Sequence, residues 1–469
     1  MPVSDTHPEY DDSVSKWQLV GDCVAGSKAV KKRDSGKAYL PMPNEIDQSQ
    51  NNKNRYKAYL KRSNFVNFTA FAKKSLTGMV FRKPMVCDLP SRIDYLKDNA
   101  NGGGLSLEQV IRSVLGETLE AARFGLLTDY PKVEENQTKA QTDQIQANIL
   151  SYNASSILNW RTTVINGLSK LSLVVLHEPR QELSDDGFSY ESVDNYRVLR
   201  LINGIYTVEL YDEDEEIYDT FQPTKSNGSK WDIIPFTFVG AQNNDPQIDD
   251  APLYDLAEIN LAHYRNSADY EESCFLVGQP TPIIAGLTQP WVNENFKDGL
   301  TLGSLGMIPL PEGGSASLLQ AAPNQMPLEG MKNKELQMAM IGARIIQDKA
   351  GVEASATVKM RLSGQTSELA ALVGNVESGI KLAIEWVGVF MGTEGATELA
   401  LNTEFYDSSL DAPQVMALIQ LADRGDISQE DMRNNLRKAA WIEADKTDEE
   451  IDAELDNIRL SLVDNNNAP

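Results

Sequence analysis

The chain has 469 residues, a formal net charge of −25 and 41% apolar residues. A chain of this length and apolar content can bury one large core or several smaller ones, which excludes a wholly disordered protein. The most hydrophobic stretch carries Glu377, Lys381 and Glu385, so we expect no segment that crosses a bilayer. The acidic first residues are unlike a signal peptide, and we expect the chain to fold in a cytoplasm.

The charge is distributed unevenly along the chain. Residues 1–83 carry 15 Lys and Arg against 8 Asp and Glu, whereas the rest carries 28 against 60. A protein that binds duplex DNA tightly without sequence preference needs an excess of Lys and Arg to displace counterions. If this chain meets DNA, its overall charge favours a surface that repels phosphate and lets the polymer slide.

The residues that usually carry catalysis or metal binding are few and scattered. Cys23, Cys87 and Cys274 are too far apart for a CxxC motif, which favours buried free thiols in a reducing compartment. The three histidines form no HExxH or other ligand spacing. We therefore expect no catalytic residue, no metal site and no cofactor.

The first half of the chain predicts an irregular arm followed by mixed helices and strands. Residues 1–50, interrupted by Gly and Pro, predict an arm with one short helical piece. Residues 55–76 repeat apolar positions at helical spacing and meet Gly78, after which MVF resembles a short strand. A helix capped near Ser106 and ended by Gly125 follows, and then a strand at 125–131.

Residues 165–240 predict an antiparallel sheet with one face in water. Two runs of alternating apolar residues flank Asn203-Gly204, a pair typical of a tight β-hairpin. Together with the helices before and after this region, the sheet predicts an α+β fold.

The second half of the chain is mainly helical. It predicts three long helices, at 253–274, 328–349 and 367–390, separated by a Gly- and Pro-rich β segment and then by a loop at 350–366. Their apolar stripes are extensive, and we expect neighbouring copies of the chain to cover them. Helices with caps at Ser428 and Thr447 complete the chain.

Two segments suggest nucleotide or nucleic-acid binding. GDCVAGSK at 21–28 resembles a P-loop, but Ser27 and Lys28 stand in the wrong order and no good strand precedes them. The basic and aromatic stretch Arg55–Lys74 could bind a nucleic-acid strand by stacking and charge. Its helical spacing favours instead a packed helix with a solvated basic face.

The order of elements and several local motifs resemble the portal proteins of tailed double-stranded DNA bacteriophages. The segments that carry the likeness are YLPMP at 39–43, LTGMVFRKP at 76–84, GLLTDYP at 125–131, SSILNWR at 155–161, YRVLRLINGIY at 196–206 and LAEINLAHYRNSADYEESCFLVGQPTPIIAGL at 256–287. The likeness covers residues 15–395, whereas the last seventy residues match only in being helical.

The resemblance implies a portal fold with an α/β wing, a helical stem, a small β-containing clip and a helical crown. Its parts would be an N-terminal arm and wing at 1–250, a first stem helix at 251–277, the clip at 278–327, a second stem helix at 328–349, a tunnel loop at 350–366, a long wing helix at 367–400 and the crown at 401–469. In the tunnel loop, Lys349, Lys359 and Arg361 are the cations that would face DNA.

The same resemblance implies a non-enzymatic, ring-shaped channel of twelve copies at one capsid vertex. Its partners would be double-stranded DNA without sequence specificity, the terminase large subunit, the major capsid and scaffolding proteins, and the head–tail adaptor and neck proteins, with no membrane. The protein would be made in the bacterial cytoplasm and reside in the virion. Two alternatives remain: another virion structural protein, such as a capsid or adaptor protein, and a nucleotide-binding packaging enzyme.

Overall fold

The computed structural model describes residues 2–132, 145–165, 167–184, 187–278, 281–295, 309–319, 325–341, 355–393, 395–403, 405, 420–422, 424–425, 427–438, 442 and 446–454. Helices and small antiparallel sheets alternate along the chain, which confirms the α+β class. The chain divides into two compact units, Met1–Thr403 and Glu404–Pro469. Among the described residues, no helix combines the length and the apolar character needed to span a bilayer.

Residues 8–36 are helical, so the prediction of an irregular arm was wrong there, whereas 37–49 contain no helix or strand. Helices α1 and α2 span Pro8–Ala25 and Ser27–Lys32, separated by Gly26 at a φ of 91°. His7 caps the start of α1. Trp17, Val20 and Cys23 recur at three-residue spacing and are buried on one face of α1. This burial attaches α1 to the body, the name we give to the two main sheets described below and the helices packed against them.

The basic segment that follows forms two helices instead of the single helix predicted. Helix α3 spans Gln50–Arg62 and α4 spans Phe68–Val80. Asn67 caps α4, and this helix runs past Gly78 through the MVF segment that had suggested a strand. The first strand, β1, lies later, at Val86–Asp88, and pairs with the distant β14 at Glu398–Ala400.

Helix α5 and the strand after it form the centre of the body. Helix α5 spans Leu107–Ala121 and begins with a capping box between Ser106 and Gln109. It ends at Ala122, which adopts the left-handed conformation (φ 53°), so Gly125 does not terminate it as predicted. Gly125 lies inside the next strand, β2 (Arg123–Asp129), where the Phe236 ring approaches so closely that a Cβ would clash.

Two antiparallel sheets make up the β part of the body. Their strands are β2 Arg123–Asp129, β3 Asn148–Asn153, β4 Ile157–Ile165, β5 Leu168–His177, β8 Tyr196–Ile202, β9 Ile205–Tyr211, β10 Ile217–Phe221 and β11 Phe236–Gly240. The first sheet has the order β11-β2-β3 and the second has the order β10-β9-β8-β5-β4. A separate exposed hairpin is formed by β6 Arg180–Leu183 and β7 Tyr190–Val193.

The predicted sheet at 165–240 is therefore correct in its centre and wrong at its ends. The hairpin at Asn203-Gly204 is confirmed, with both residues at positive φ, as a type I′ turn requires. The sheet begins earlier, at β4, and β11 leaves it to pair with β2. Pairing between segments so distant in sequence is decided by tertiary packing.

Two arginines join the two sheets and the N-terminal segment. Arg123 of β2 is 1% exposed and lies between the rings of Trp160 and Phe238, 4.2 and 3.7 Å from their centroids. Its Nη1 donates to the carbonyl of Pro246 (2.8 Å), and His7 stacks on Trp160. Burial lowers the pKa of the Arg123 guanidinium to about 9, although nearby carboxylates oppose this shift.

A second arginine, the partly buried Arg197 of β8, reaches across to the other sheet. It donates to Asp129 Oδ2 at the end of β2 (3.2 Å) and to Glu178 Oε1 (2.8 Å). Burial raises the pKa of Asp129, and Arg197 opposes that increase. This ion-pair network ties the end of the central strand of the three-stranded sheet to the middle of the five-stranded one.

A helix, a small hairpin and a second helix follow the sheets. Helix α6 spans Tyr254–Val277, and strands β12 and β13 span Thr281–Ala285 and Ser315–Leu319 and pair with each other. A short helix, α7, spans Gln289–Asn295 between these strands, and α8 spans Met326–Ile341 after them.

Helix α9 spans Ser355–Met391 and therefore begins inside the segment predicted as a loop at 350–366. The residues after Ser355 include Ala356, Met360 and Leu362, which are compatible with a helix, and a single interior glycine such as Gly364 costs only about 1 kcal/mol relative to alanine. Residues 350–354 lie outside the described part of the chain.

The apolar stripe of α9 packs inside the body of a single chain. Leu369, Leu372, Val373, Val376, Ile380, Ala383, Ile384 and Val387 are all buried, against β2, β3, β11 and α5. At Gly379 a Cβ would clash with Val239, so the helix lies close to the sheet. The stripe of α6, from Leu253 to Ala268, is also buried. Our expectation that neighbouring copies cover these stripes was wrong.

In the second unit, helix α10 spans Gln429–Lys438. The predicted caps are confirmed, because Ser428 Oγ accepts from Asp431 N (2.9 Å) and Thr447 and Glu450 form a capping box. Arg433 pairs with Asp452, and Arg437 donates to the carbonyl of Lys446. The caps are local in sequence, which explains why their pattern predicted them.

We expect Ile380→Ala to lower the free energy of unfolding by about 2–5 kcal/mol, because it leaves a cavity between α9 and the sheet. Since Ile380 is buried within one chain, the loss should not depend on protein concentration. Urea denaturation at several protein concentrations measures the loss in free energy of unfolding and its dependence on concentration. The control is Val389→Ala on the same helix, 40% exposed, which should change stability by about 0.5 kcal/mol or less. A concentration-dependent loss would show that this stripe is an interface between copies.

Candidate interaction surface

Helices α6 and α8 form an antiparallel pair that we call the stem. Its direction follows from two contacts: His263 meets Glu335, whereas Asn266, further along α6, meets Gly330, earlier in α8. The β12–β13 hairpin connects the ends of the two helices. Two helices that flank a small β module therefore extend together and place the module at their end.

The first part of α6 is anchored in the body by buried polar contacts. Asn260 is fully buried, and its side-chain oxygen accepts from the backbone N–H and the hydroxyl of Thr69. Its Nδ2 donates to the carbonyl of Val66 (2.8 Å). Such contacts determine the position and rotation of α6, because a buried amide left without partners would cost about 1–3 kcal/mol.

Further along α6, acidic side chains meet helix α3. Tyr59 donates to Asp269 Oδ1 (2.6 Å), and Arg62 pairs with Glu272. No local sequence pattern identifies these partners, because they lie about two hundred residues apart along the chain. The sequence interpretation also missed Asn260, although one signal existed: a polar residue stands within an apolar stripe, next to Leu261.

The stem and its hairpin carry exposed apolar side chains on both helices and on the hairpin. Members of this surface are 39–64% exposed, and they are Phe275, Leu276, Ile283, Leu310, Leu318, Leu336, Met340 and Ile341. Single exposed apolar residues are ordinary, but a group of them along one projecting element is typical of a protein interaction site. We call this group the stem surface.

One titratable pair lies between the stem helices. His263 is 3% exposed, its Nε2 lies 3.3 Å from Glu335 Oε1, and the Phe68 ring contacts it edge-on. Burial lowers the pKa of the imidazole, while Glu335 raises it and Lys334 lowers it. Burial is the largest of these effects, so His263 favours the neutral form in the folded chain.

The prediction that Lys349, Lys359 and Arg361 face DNA is not tested by the described residues. Lys349 lies outside the described residues, and Lys359 and Arg361 lie in the first turns of α9. Their assignment to a DNA-facing tunnel loop remains a prediction.

The segment that resembles a P-loop has a different structural setting. GDCVAGSK at 21–28 covers the last turn of α1 and the start of α2, whereas a P-loop follows a buried strand and opens a helix. Lys28 is exposed and lies on a six-residue helix. Within the described residues, no three His, Cys, Asp or Glu side chains are grouped as a metal site.

Comparisons with known proteins found one family model that matches part of the chain and solved structures that align with most of it. A family described as a domain of unknown function, DUF4055, matches residues 252–391, which begin just before α6 and end with α9. No curated protein matches the sequence. A chain from the virion of a native gene transfer agent particle and one from the neck of an empty gene transfer agent particle each align with 14% identity and a TM-score of 0.43. Each alignment covers 81% of this chain and 92% of the other.

We expect acid to destabilise the stem through His263. Because its pKa is lower in the folded chain, the unfolded chain binds more protons below about pH 6.5, and the free energy of unfolding falls there by at most ~1.4 kcal/mol per pH unit. Urea denaturation between about pH 7 and pH 5 measures this fall, which His263→Gln should reduce. Glu335→Gln removes an effect that raises the pKa, so it should extend the fall to lower pH. An unchanged pH profile in His263→Gln would contradict the assignment.

Proposed function

We propose that the chain is a structural protein of a phage-like virion and, more specifically, the portal protein. Copies of it would form a ring-shaped channel at one capsid vertex, through which double-stranded DNA is packaged and ejected. The observation that carries the proposal is the stem: two antiparallel helices, held by buried polar contacts, flank a β hairpin, and exposed apolar residues occur on both helices and on the hairpin.

The stem surface gives a physical reason for assembly. Repeating the same contact around an axis, with different patches on the two sides, closes a ring of copies. Apolar groups exposed in one chain, such as Leu276 and Leu336, are stabilised when a neighbour removes them from water. The buried stripes of α6 and α9 contribute to the body instead, so assembly depends on the stem surface.

The proposal includes the partners that the portal resemblance implies. Twelve copies would surround the DNA, the terminase large subunit would bind the hairpin end during packaging, and head–tail adaptor and neck proteins would replace it. Major capsid and scaffolding proteins would contact the wing, and the ring would reside in the virion. The protein itself would act without a cofactor or an enzymatic step, since force would come from the terminase.

Another virion structural protein, such as a capsid or adaptor protein, is the alternative. Capsid proteins would not be expected to carry two long helices that flank a small β module, which favours the portal. The packaging-enzyme alternative rested on GDCVAGSK, and the position of this segment between α1 and α2 removes its main support.

We expect negative-stain microscopy of the purified chain to show rings with a central hole about as wide as a DNA duplex. The substitution pair Leu276→Asp and Leu336→Asp should yield monomers that retain the wild-type circular dichroism, because both side chains are more than half exposed. Light scattering measures the mass.

The control for this experiment is the pair Val164→Asp and Leu168→Asp, at the even more exposed tip of the β4–β5 hairpin, which should preserve the ring. Wild-type protein that stays a compact monomer at every concentration would contradict the portal proposal. If only the control pair lost the ring, the interface between copies would lie on the wing and not on the stem.

A further inference from the structure

One face of helix α3 carries a row of exposed lysines. Lys53, Lys57 and Lys61 follow one another at four-residue spacing, and each is exposed. At 1.5 Å per residue, the row extends about 12 Å along the helix. The opposite face carries Tyr56 and Tyr59, both buried at 5% exposure. The helix therefore presents charge to the solvent and keeps its aromatic rings inside.

These lysines have no ion pair or side-chain hydrogen bond within the described part of the chain, although the sequence contains 68 carboxylates. Other lysines are paired, for example Lys132 with Asp219 and Lys381 with Glu377. Like charges four residues apart destabilise a helix by a few tenths of a kcal/mol per pair, about 0.2–0.5. The row thus slightly opposes folding, as expected when a partner outside the chain uses it.

The arginines of the same helix differ from its lysines. Arg55 and Arg62 both pair with Glu272 of α6, so these guanidiniums hold the helix in place. On this helix the arginines therefore fix the position of α3, and the lysines present positive charge to the solvent. Substituting the lysines leaves the ion pairs of Arg55 and Arg62 with Glu272 intact.

Helix α2, next to the end of α3, carries further exposed lysines. Lys31 donates to the carbonyl of Ser63 at the end of α3 (2.5 Å), which places α2 next to it. Lys28 and Lys32 on α2 are exposed, and neither has an ion pair among the described residues. We call the five exposed lysines of α2 and α3 (28, 32, 53, 57 and 61) the lysine face.

We propose that the lysine face binds the phosphate backbone of duplex DNA without reading its sequence. Each strand presents one phosphate about every 3.4 Å along the duplex axis, so a row of about 12 Å spans three to four phosphates. The buried positions of Tyr56 and Tyr59 exclude base stacking by these rings, which leaves only backbone contacts.

A protein partner fits this face less well. Protein interfaces usually bury an apolar centre from which charged residues are depleted, and carboxylates are commonly held by the paired N–H groups of arginine. The lysine face has neither feature, because Arg55 and Arg62 are already paired and its tyrosine rings point inward. The inference goes beyond the channel function and does not require ring formation.

The test compares the full-length protein with the variant Lys53→Gln, Lys57→Gln and Lys61→Gln. Fluorescence anisotropy measures binding to a labelled random-sequence duplex over a series of salt concentrations. We expect the wild type to bind at about 50 mM salt, and the variant to bind at least about tenfold more weakly. The slope of log K against log salt should fall in magnitude by about 2.7, which is about 0.9 for each phosphate that the variant no longer neutralises.

The matched control is Lys97→Gln, Lys132→Gln and Lys170→Gln, which changes the net charge equally but alters lysines paired with Asp94, Asp219 and Asp232. It should bind DNA like the wild type. A second variant with arginine at positions 53, 57 and 61 should retain binding.

Several results would overturn the proposal. The first is a wild type that does not bind DNA at low salt, and the second is an equal loss of affinity for DNA in both glutamine variants. The third such result is a slope of log K against log salt that is the same in the wild type and in the Lys53→Gln, Lys57→Gln and Lys61→Gln variant. Light scattering on the same samples measures self-association, and a glutamine variant that loses assembly but keeps DNA affinity would assign the lysine face to an acidic protein surface instead. DNA binding by a wild type that forms no ring would support the lysine face while contradicting the channel.

Discussion

The packing of α9 across the three-stranded sheet is the constraint on which the rest of the body depends. The stripe from Leu369 to Val387 is buried there, and at Gly379 the helix approaches Val239 too closely for a Cβ. Polar groups determine the register of this contact: Thr128 Oγ1 donates to the carbonyl of Ala383 (3.0 Å), and Asn244 Nδ2 donates to the carbonyl of Asn375 (2.8 Å). Apolar burial supplies the stabilisation, and the hydrogen bonds select one alignment.

The body then holds the stem in a defined direction. Helix α6 packs against α1, α3, α4 and α8, and its buried Asn260 is satisfied by the segment that contains Val66 and Thr69. Its later turns contact α3 through Asp269 and Glu272. The stem is thus held rigidly while apolar residues on both of its helices and on its hairpin stay exposed, and this combination underlies the proposed assembly.

Charge is also distributed unevenly over the chain. The chain is strongly acidic overall, yet helices α2 and α3 carry five exposed lysines that are not neutralised within the described structure. Acidic surfaces repel phosphate and allow DNA to slide, whereas a local row of lysines attracts it. The two proposals concern different surfaces, because the stem surface is apolar and the lysine face is charged. Each can therefore fail without the other.

The sequence by itself determined the features that depend on neighbours in the chain. The α+β class, the hairpin at Asn203-Gly204, and the caps at Ser106, Ser428 and Thr447 follow from short-range periodicity and local hydrogen bonds. The apolar periodicity of α9 was also evident, but a stripe shows only that a face is buried, not which surface covers it. Only the tertiary structure decided that β11 pairs with β2, that Arg123 lies between two aromatic rings, and that α1 is packed helix. Those outcomes depend on residues that are distant in the sequence and meet only when the chain folds.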